Sequence, residues 1–418
     1  MTDSWLDNLP EEILLEIFDY CDVIDLLQIS QVYERFNEII LYIINNRSIV
    51  TNQVSTNFRK ICNPILSYDN KCIVSYNWQS GKYKPNYIKY NEETVMPWLQ
   101  MTKDVLWWCG GKNFVGIERK DQLTQNNWNE SLFSHNLKYS LHLMSKGFSK
   151  FVLCDNFIIS GHSDGSIICW SDTLSETGPR LRIKKSLKNV HSSYIYAIDA
   201  TSRNVISASD NTIRIQESIS TLAEQSANDY STSGNCIDIK DTVQSLAIDP
   251  MGTKFAVGSG GWTDFPPLHI IDINTQYMNS SMVREWKHGA QWYVNGILDM
   301  VWDNPHTLLT CGYDSNIRKW DLRAGKCVST WEDPDRATVY CISSDYQYTM
   351  ITGMEYSEKA VLWDQRQRNS VQVYYLNPKL ASRQRSNPIY SLRFDSSHLY
   401  CATDKKLVEL NFSDQNNN

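Results

Sequence analysis

His191, Ser207 and Asp210 are the three residue types of a hydrolase triad, and they lie close together in the sequence. A catalytic serine needs a strained turn such as G-x-S-x-G and an oxyanion hole, and the segment SASDNT around Ser207 provides neither. The glycines of GSGG at 258–261 also lack the Lys-Ser/Thr pair of a phosphate-binding loop. We therefore expect a protein without catalytic residues.

Metal and cofactor sites are not indicated either. The eight histidines include no H-E-x-x-H pair, and the eleven cysteines are scattered without a C-x-x-C motif. The net charge of −7 gives no basic surface for nucleic acid. No secretion signal and no apolar run of membrane-spanning length is present. We expect no cofactor and no metal in a soluble intracellular protein of the cytoplasm or nucleus, with reduced thiols.

A repeat sets the expected fold. Four segments combine a strand end of small residues, a tight polar turn and alternating apolar residues: SGHSDGSIICW (160–170), SASDNTIRIQE (207–217), TCGYDSNIRKWDL (310–322) and TGMEYSEKAVLWDQ (352–365). Weaker copies lie at 109–119, 257–273 and 401–412. The spacing of roughly 43–56 residues and the Trp-Asp pairs resemble WD repeats, the four-stranded blades of a β-propeller. Seven copies predict a mainly β fold with seven blades.

This resemblance offers another role for the triad-like residues. In WD repeats, a His, a Ser and the turn Asp form one hydrogen-bonded line across a blade, the role expected here of His191, Ser207 and Asp210. Asp164 and Asp314 would occupy the same turn in their blades, and Trp320 and Trp363 the end of the third strand. Gln216 replaces this Trp in the second of the four segments, so we expect its network to be incomplete.

The propeller is predicted to span residues 85–418 and to close with a strand from its beginning. The last copy has only three strands, near 388–395, 397–403 and 405–412, and an unclosed ring would leave an open edge. The alternating segment PNYIKYNEE (85–93) is in the right place to supply the fourth. We expect it to pair beside 405–412.

Residues 1–45 have a different, helical pattern. Apolar residues recur at three- and four-residue spacing through 9–40, which predicts three short helices with a small common core. Leu9-Pro10, the D-L-L at 25–27 and the Q-V at 31–32 resemble an F-box. Val23, Tyr33 and Phe36 depart from the usual F-box residues but keep apolar volume. The resemblance implies docking to a Skp-type adaptor through Leu9, Pro10, Ile13, Leu14, Ile17, Leu26, Leu27, Val32 and Phe36.

Residues 46–84 are expected to form a packed helical linker. Their apolar content favours short helices over a mobile tether. We expect Trp78 and Tyr83 to pack this linker against the propeller.

A partner-binding surface can be located by the register of the repeats. In WD blades, the second residue of the inner strand and the residue before the turn Asp face the top rim of the channel. These positions hold Tyr196, Gln244, Leu298, Tyr340 and Tyr390, and Ser163, Ser209 and Tyr313. None is an arginine, which phosphate binding would favour. The tyrosines predict aromatic anchoring of a target; the alternative is that tyrosine is merely frequent in this chain.

The chain contains, in order, the segments YNW (76–78), MPWLQ (96–100), YCISSD (340–345) and LWDQRQR (362–368). With these segments, and over nearly its whole length, it resembles F-box/WD-repeat proteins of the dactylin type, and the similarity is densest over 296–395. It implies a non-catalytic substrate receptor of a Skp–cullin–F-box ubiquitin ligase. Its partners would be a Skp-type adaptor, through it a cullin–RING ligase, and a protein substrate, without nucleic acid or membrane. The alternative is a non-degradative WD-repeat scaffold whose helices only brace the propeller.

Overall fold

The structure is a computed structural model. It describes residues 9–21, 23–47, 68–91, 93–119, 137–175, 178–217, 235–262, 266–276, 278–279, 296–333, 335–377 and 387–413.

Seven four-stranded antiparallel sheets form the β region. Strand β1 (Lys84–Tyr90) precedes the first sheet. The first three sheets contain β2 (Trp98–Met101), β3 (Val105–Gly110), β4 (Asn113–Glu118) and β5 (Leu137–His142); β6 (Phe148–Cys154), β7 (Phe157–His162), β8 (Ile167–Ser175) and β9 (Gly178–Leu187); and β10 (Ala197–Ala200), β11 (Asn204–Ser209), β12 (Thr212–Glu217) and β13 (Asn235–Asp238).

The remaining sheets continue this order. They contain β14 (Val243–Ile248), β15 (Lys254–Ser259), β16 (Leu268–Asp272) and β17 (Met278–Asn279); β18 (Ile297–Asn304), β19 (Thr307–Gly312), β20 (Asn316–Asp321) and β21 (Lys326–Glu332); β22 (Val339–Ser344), β23 (Thr349–Met354), β24 (Lys359–Asp364) and β25 (Ser370–Tyr375); and β26 (Ile389–Phe394), β27 (His398–Thr403) and β28 (Lys406–Asn411) together with β1.

The first strands of the seven sheets contact one another in a closed ring, β2–β6–β10–β14–β18–β22–β26 and back to β2. This is a seven-bladed propeller, as the repeats predict. Side chains of the inner strands link neighbouring blades. Ser245 Oγ donates to the carbonyl of Ile297 (2.9 Å), and the Asp299 carboxylate accepts from the backbone N–H of Ile342 (3.0 Å). Apolar side chains between the sheets form the remaining blade-to-blade contacts.

The ring closes between its two ends. β1 pairs antiparallel with β28, from Lys84 opposite Asn411 to Tyr90 opposite Lys406. The Asn91 N–H extends the pairing by donating to the Lys405 carbonyl (2.7 Å). The prediction that the segment after residue 84 supplies the missing outer strand is therefore confirmed.

Three helices precede the ring: α1 (Glu11–Asp19), α2 (Val23–Ser30) and α3 (Glu34–Arg47). Leu14, Leu26 and Ile40 are fully buried between them, and the rings of Phe18 and Phe36 meet edge to face with centroids 5.5 Å apart. The predicted three-helix unit is present. None of the helices in the described ranges has the length and apolar character required to span a bilayer.

A fourth helix, α4 (Tyr68–Ser80), joins these helices to the propeller, since it contacts both α2 and β25. Trp78 is fully buried, and its ring stacks on Phe412 with centroids 3.6 Å apart. Its indole N–H donates to the Ser396 carbonyl (3.0 Å), and the Tyr83 hydroxyl donates to the Tyr375 carbonyl (2.8 Å). Both aromatic residues thus pack against the propeller as the sequence predicts. Residues 48–67 of the expected linker lie outside the described ranges.

Candidate functional site

His191 and Ser207 are buried inside the third blade, whereas Asp210 is exposed in its turn. His191 Nε2 lies 2.9 Å from Ser207 Oγ, but Ser207 has no exposed surface and His191 is 5 % exposed. Asp210 does not complete the expected line, because its carboxylate accepts from Ser193, while His191 Nδ1 lies 3.3 Å from Thr212 Oγ1. The predicted His–Ser contact is present, and the placement of Asp210 is wrong. A serine without access to solvent cannot attack a substrate, so the geometry gives no support to a hydrolase.

Other blades contain the same kind of hydrogen bond. The indole N–H groups of Trp170, Trp320 and Trp363 donate to the hydroxyls of Ser160, Thr310 and Thr352 at 2.8–2.9 Å. Asp164 and Asp314 accept backbone N–H groups of their own turns, from Ser166 and Asn316.

In the third blade, Gln216 stands where these blades have Trp, and its buried amide oxygen has no hydrogen-bond partner. The incomplete network is observed, and the repeated pattern gives these residues a structural role. Among the described residues, no group of His, Cys, Asp and Glu is arranged to hold a metal ion.

The first candidate docking surface lies on the three-helix unit. Ile13 and Ile17 are 41 % and 40 % exposed on one face of α1, and Val32 is 75 % exposed in the turn before α3. Residues four apart share a helix face, so Ile13 and Ile17 form a continuous apolar stripe. Pro10, at the start of α1, is exposed beside a half-buried Leu9.

Three residues expected on this surface are instead part of the core. Leu14 and Leu26 are fully buried and Phe36 is 6 % exposed, because three helices this short need every large inward side chain for their common interior. They shape the docking surface from behind and do not form it. The Leu27 side chain lies outside the described part of the structure.

The second candidate surface is the propeller rim at the start of the inner strands. Tyr196, Gln244, Leu298, Tyr340 and Tyr390 are all half-buried there. The rings of Tyr340 and Tyr390 from neighbouring blades meet edge to face, with centroids 5.3 Å apart. Tyr196 precedes β10 and pairs with Tyr194 at 5.1 Å. Aromatic pairs thus occupy two parts of the rim.

The turn after the second strand of each blade adds further rim residues. The Tyr313 N–H donates to the Gly296 carbonyl at the start of the inner strand (3.1 Å), and the Ser163 and Glu355 N–H groups make the same contact with Gly147 and Thr338 (3.0 Å each). Ser163 Oγ also accepts from the Gly147 N–H (2.9 Å), while Ser209 Oγ lies 2.7 Å from Ser193 Oγ. Both serines therefore stabilise local turns.

Sequence reasoning missed three rim residues. Glu355 and Asp404 each follow the second strand of their blade, the position that Tyr313 has, and Trp262 is 67 % exposed in the corresponding loop of the fourth blade. The sequence prediction of these positions depends on a turn Asp, and the turn at 355–358 has none. The register of the second strand would have found Glu355 and Asp404.

Comparison with known proteins agrees with this architecture. The F-box domain model matches residues 6–47, which cover α1 to α3, and the model of the WD domain, G-beta repeat, matches 284–321, which includes β18 to β20. The mouse (Mus musculus) protein "F-box/WD repeat-containing protein 4" is 29 % identical over 413 residues, 97 % of this chain and 93 % of that protein. The human (Homo sapiens) protein of the same name is 28 % identical over 97 % of this chain and 92 % of its own length.

A further relative covers part of the propeller only. "Mitotic checkpoint protein BUB3.3" of Arabidopsis thaliana is 30 % identical over 133 residues, 32 % of this chain and 38 % of that protein.

Proposed function

We propose that this chain, which joins an F-box domain to a seven-bladed WD-repeat propeller, is a substrate receptor of a Skp–cullin–F-box ubiquitin ligase. The observation that carries the proposal is the exposed apolar stripe of Ile13 and Ile17 on α1, together with the exposed Val32 in the turn before α3. Contiguous exposed apolar surface is typical of a protein interface. A Skp-type adaptor is the partner that an F-box implies, and through it a cullin–RING ligase.

The propeller rim would capture the target. Tyr196, Gln244, Leu298, Tyr313, Tyr340 and Tyr390 are half-buried side chains that can anchor a segment of another protein. This role requires no catalytic residues in the chain, because holding the target near the ubiquitin-charged enzyme raises the effective concentration of the reacting groups. Helix α4 supports this role, because it contacts both the F-box and the propeller.

The proposal is tested by co-purification of the full chain with a Skp-type adaptor. We expect Ile13→Glu combined with Val32→Glu to abolish capture, since two charges would be buried in the interface. Both side chains are exposed, so the melting temperature of the chain should hardly change. Met144→Glu, at an 85 % exposed residue of the propeller, is the matched control. Failure of the wild-type chain to bind any adaptor would refute the proposal.

The scaffold alternative also has an observation in its favour. Because α4 packs on α2 and β25 together, the F-box helices could act only as a brace for the propeller. In that case removal of residues 1–47 would lower the melting temperature of the propeller, and no adaptor would bind the intact chain.

A further inference from the structure

Three neighbouring blades place aromatic rings and carboxylates together on the rim. Tyr313 comes from the fifth blade, Tyr340 and Glu355 from the sixth, and Tyr390 and Asp404 from the seventh. We call these five residues the acidic-aromatic rim. The edge-to-face contact of Tyr340 with Tyr390 fixes two of the rings against each other. The five residues therefore come from three consecutive blades of the ring.

The five residues influence one another electrostatically. Burial raises the pKa values of Tyr313 and Tyr340, and the charge of the Glu355 carboxylate raises both further. Burial also raises the pKa of Tyr390, with Asp404 as the next cause. All three phenols are therefore neutral at pH 7, and the negative charge of the surface resides on Glu355 and Asp404.

These two carboxylates have no charged partner in the part of the chain that the structure describes. Within the described residues, neither Glu355 nor Asp404 takes part in an ion pair or in a side-chain hydrogen bond. The lysines at the start of the following strands have other partners: Lys359 Nζ lies 3.0 Å from Asp333, and Lys406 Nζ lies 2.9 Å from Glu358. As far as the described ranges show, the rim thus presents negative charge without a paired cation beside aromatic faces.

We propose that the acidic-aromatic rim binds a basic side chain, arginine or lysine, in the segment of the target that the propeller captures. A cation gains from the faces of Tyr340 and Tyr390 through their ring quadrupoles, and from the Glu355 carboxylate through a charge-assisted hydrogen bond. The inference rests on the proposed function and names the chemistry of its target. A phosphorylated or acidic segment would meet like charge here, and charge complementarity selects the basic one.

Gln244, Tyr196 and Trp262 lie farther around the same rim. They can contact the residues that flank the basic one, by a side-chain amide and by apolar surface. The acidic-aromatic rim therefore sets the preferred central residue, and the rest of the rim binds the remainder of an extended segment.

The test uses the full chain, fluorescently labelled, and pools of short synthetic peptides that are degenerate except at one central residue. This residue is Arg, Lys, Ala or Glu in the four pools. We expect the Arg and Lys pools to capture about tenfold more protein than the Ala pool, the Glu pool to capture least, and high salt to reduce the difference.

Variants separate charge from shape. Glu355→Gln keeps the size of the side chain and should lower capture by the Arg and Lys pools to near that of the Ala pool. Tyr340→Phe should keep most of the capture because the ring remains, whereas Tyr340→Leu should lose it. Glu332→Gln, at an exposed residue of β21 on the outer edge of a blade, is the matched control and should change nothing.

Two outcomes would overturn the inference directly: equal capture by the Arg and Ala pools, or capture by the Arg and Lys pools that Glu355→Gln leaves unchanged. A third would be that the pools are captured only after Arg383 and Arg385 are replaced by alanine. In that case the occupant of the acidic-aromatic rim would be the chain's own basic segment and not a target. Adaptor binding is measured on the same preparation. If the chain binds the adaptor but does not prefer the Arg and Lys pools, this inference alone is refuted. If the chain prefers these pools but does not bind the adaptor, the proposed function alone is refuted.

Discussion

Two buried imidazoles of the propeller interior have pKa values well below the ordinary range. His162 is fully buried with Nε2 2.9 Å from Ser160 Oγ, and His191 makes the equivalent contact with Ser207. Burial lowers both pKa values to about 4, from an ordinary value near 6.5 in the unfolded chain. Between these values the unfolded chain binds more protons than the folded one, so the free energy of unfolding falls as the pH falls.

We therefore predict that His162 and His191 each contribute less to the stability of the propeller as the pH falls from about 6.5 to 4, by on the order of 2 kcal/mol. Asp199 and Asp345 act in the opposite direction over this interval, because burial raises both of their pKa values to about 6. Compared with the wild type, the double variant His162→Gln, His191→Gln should lose less stability, or gain more, on acidification over this interval, because glutamine can occupy the hydrogen bonds without titrating. The measurement is the free energy of unfolding in urea as a function of pH.

His398 provides the control of opposite sign. Burial disfavours its charge, but Asp395, whose carboxylate is 3.3 Å away, raises the pKa of His398 above the ordinary value. Its contribution is complete below pH 6.5 and is lost as the pH rises through the folded pKa. His398→Gln should therefore leave the acid slope intact and weaken stability most at low pH. A pH dependence of stability in the His162/His191 variant that equals that of the wild type would contradict the assignment.

At the scale of elements, α4 connects the F-box to the end of the propeller. Trp78 is its anchor: the indole stacks on Phe412, contacts Tyr374 and donates to the Ser396 carbonyl. We predict that Trp78→Ala lowers the free energy of unfolding by about 3–5 kcal/mol, because it removes a fully buried aromatic ring. Chemical denaturation followed by circular dichroism measures this change.

Tyr76→Ala is the matched control on the same helix. Tyr76 is only half-buried, so its loss should cost less than about 1 kcal/mol. If both variants lowered the free energy of unfolding equally, α4 would stabilise the fold through its general helical packing. Trp78 would then not be its anchor.

The elements themselves were largely predictable from the sequence. Each blade repeats one pattern of strand end, turn and strand, and the alternation of PNYIKYNEE marks the closing strand although it lies far from 405–412 in the sequence. The three helices were predictable from the spacing of their apolar residues. These features depend on local sequence and on the requirement that a propeller has no open edge.

The roles of individual side chains were less predictable. A helical spacing places Ile13 and Leu14 in one apolar set, yet Ile13 is 41 % exposed and Leu14 fully buried, since a small bundle buries only part of a broad stripe. The turn partner of Asp210 depends on where Ser193 lies, which is set by the preceding loop. Glu355 was missed because this rim position was assigned from the turn Asp, and the turn at 355–358 has none.

At the scale of the whole molecule, the position of the F-box and the closure of the ring depend on one continuous segment. From α4 the chain passes directly into β1, which covers the edge of β28, where Leu407, Val408 and Leu410 are fully buried. An adaptor bound to the F-box would therefore stand at a place set by the same segment that closes the propeller. Stability and partner presentation should fail together when this segment is removed.

A series of truncations tests this dependence. A chain that starts after residue 47 keeps α4 and β1 and should melt within a few degrees of the full chain. One that starts after residue 81 loses the Trp78 contacts and should melt roughly 5–10 °C lower.

A chain that starts after residue 92 also exposes β28 as an open edge. We expect it to self-associate in size-exclusion chromatography, because an unpaired apolar strand is a template for pairing with another chain. A monomeric and equally stable chain from residue 93 would show that the ring does not need β1. A marked loss already after residue 47 would favour the bracing scaffold over the ligase receptor.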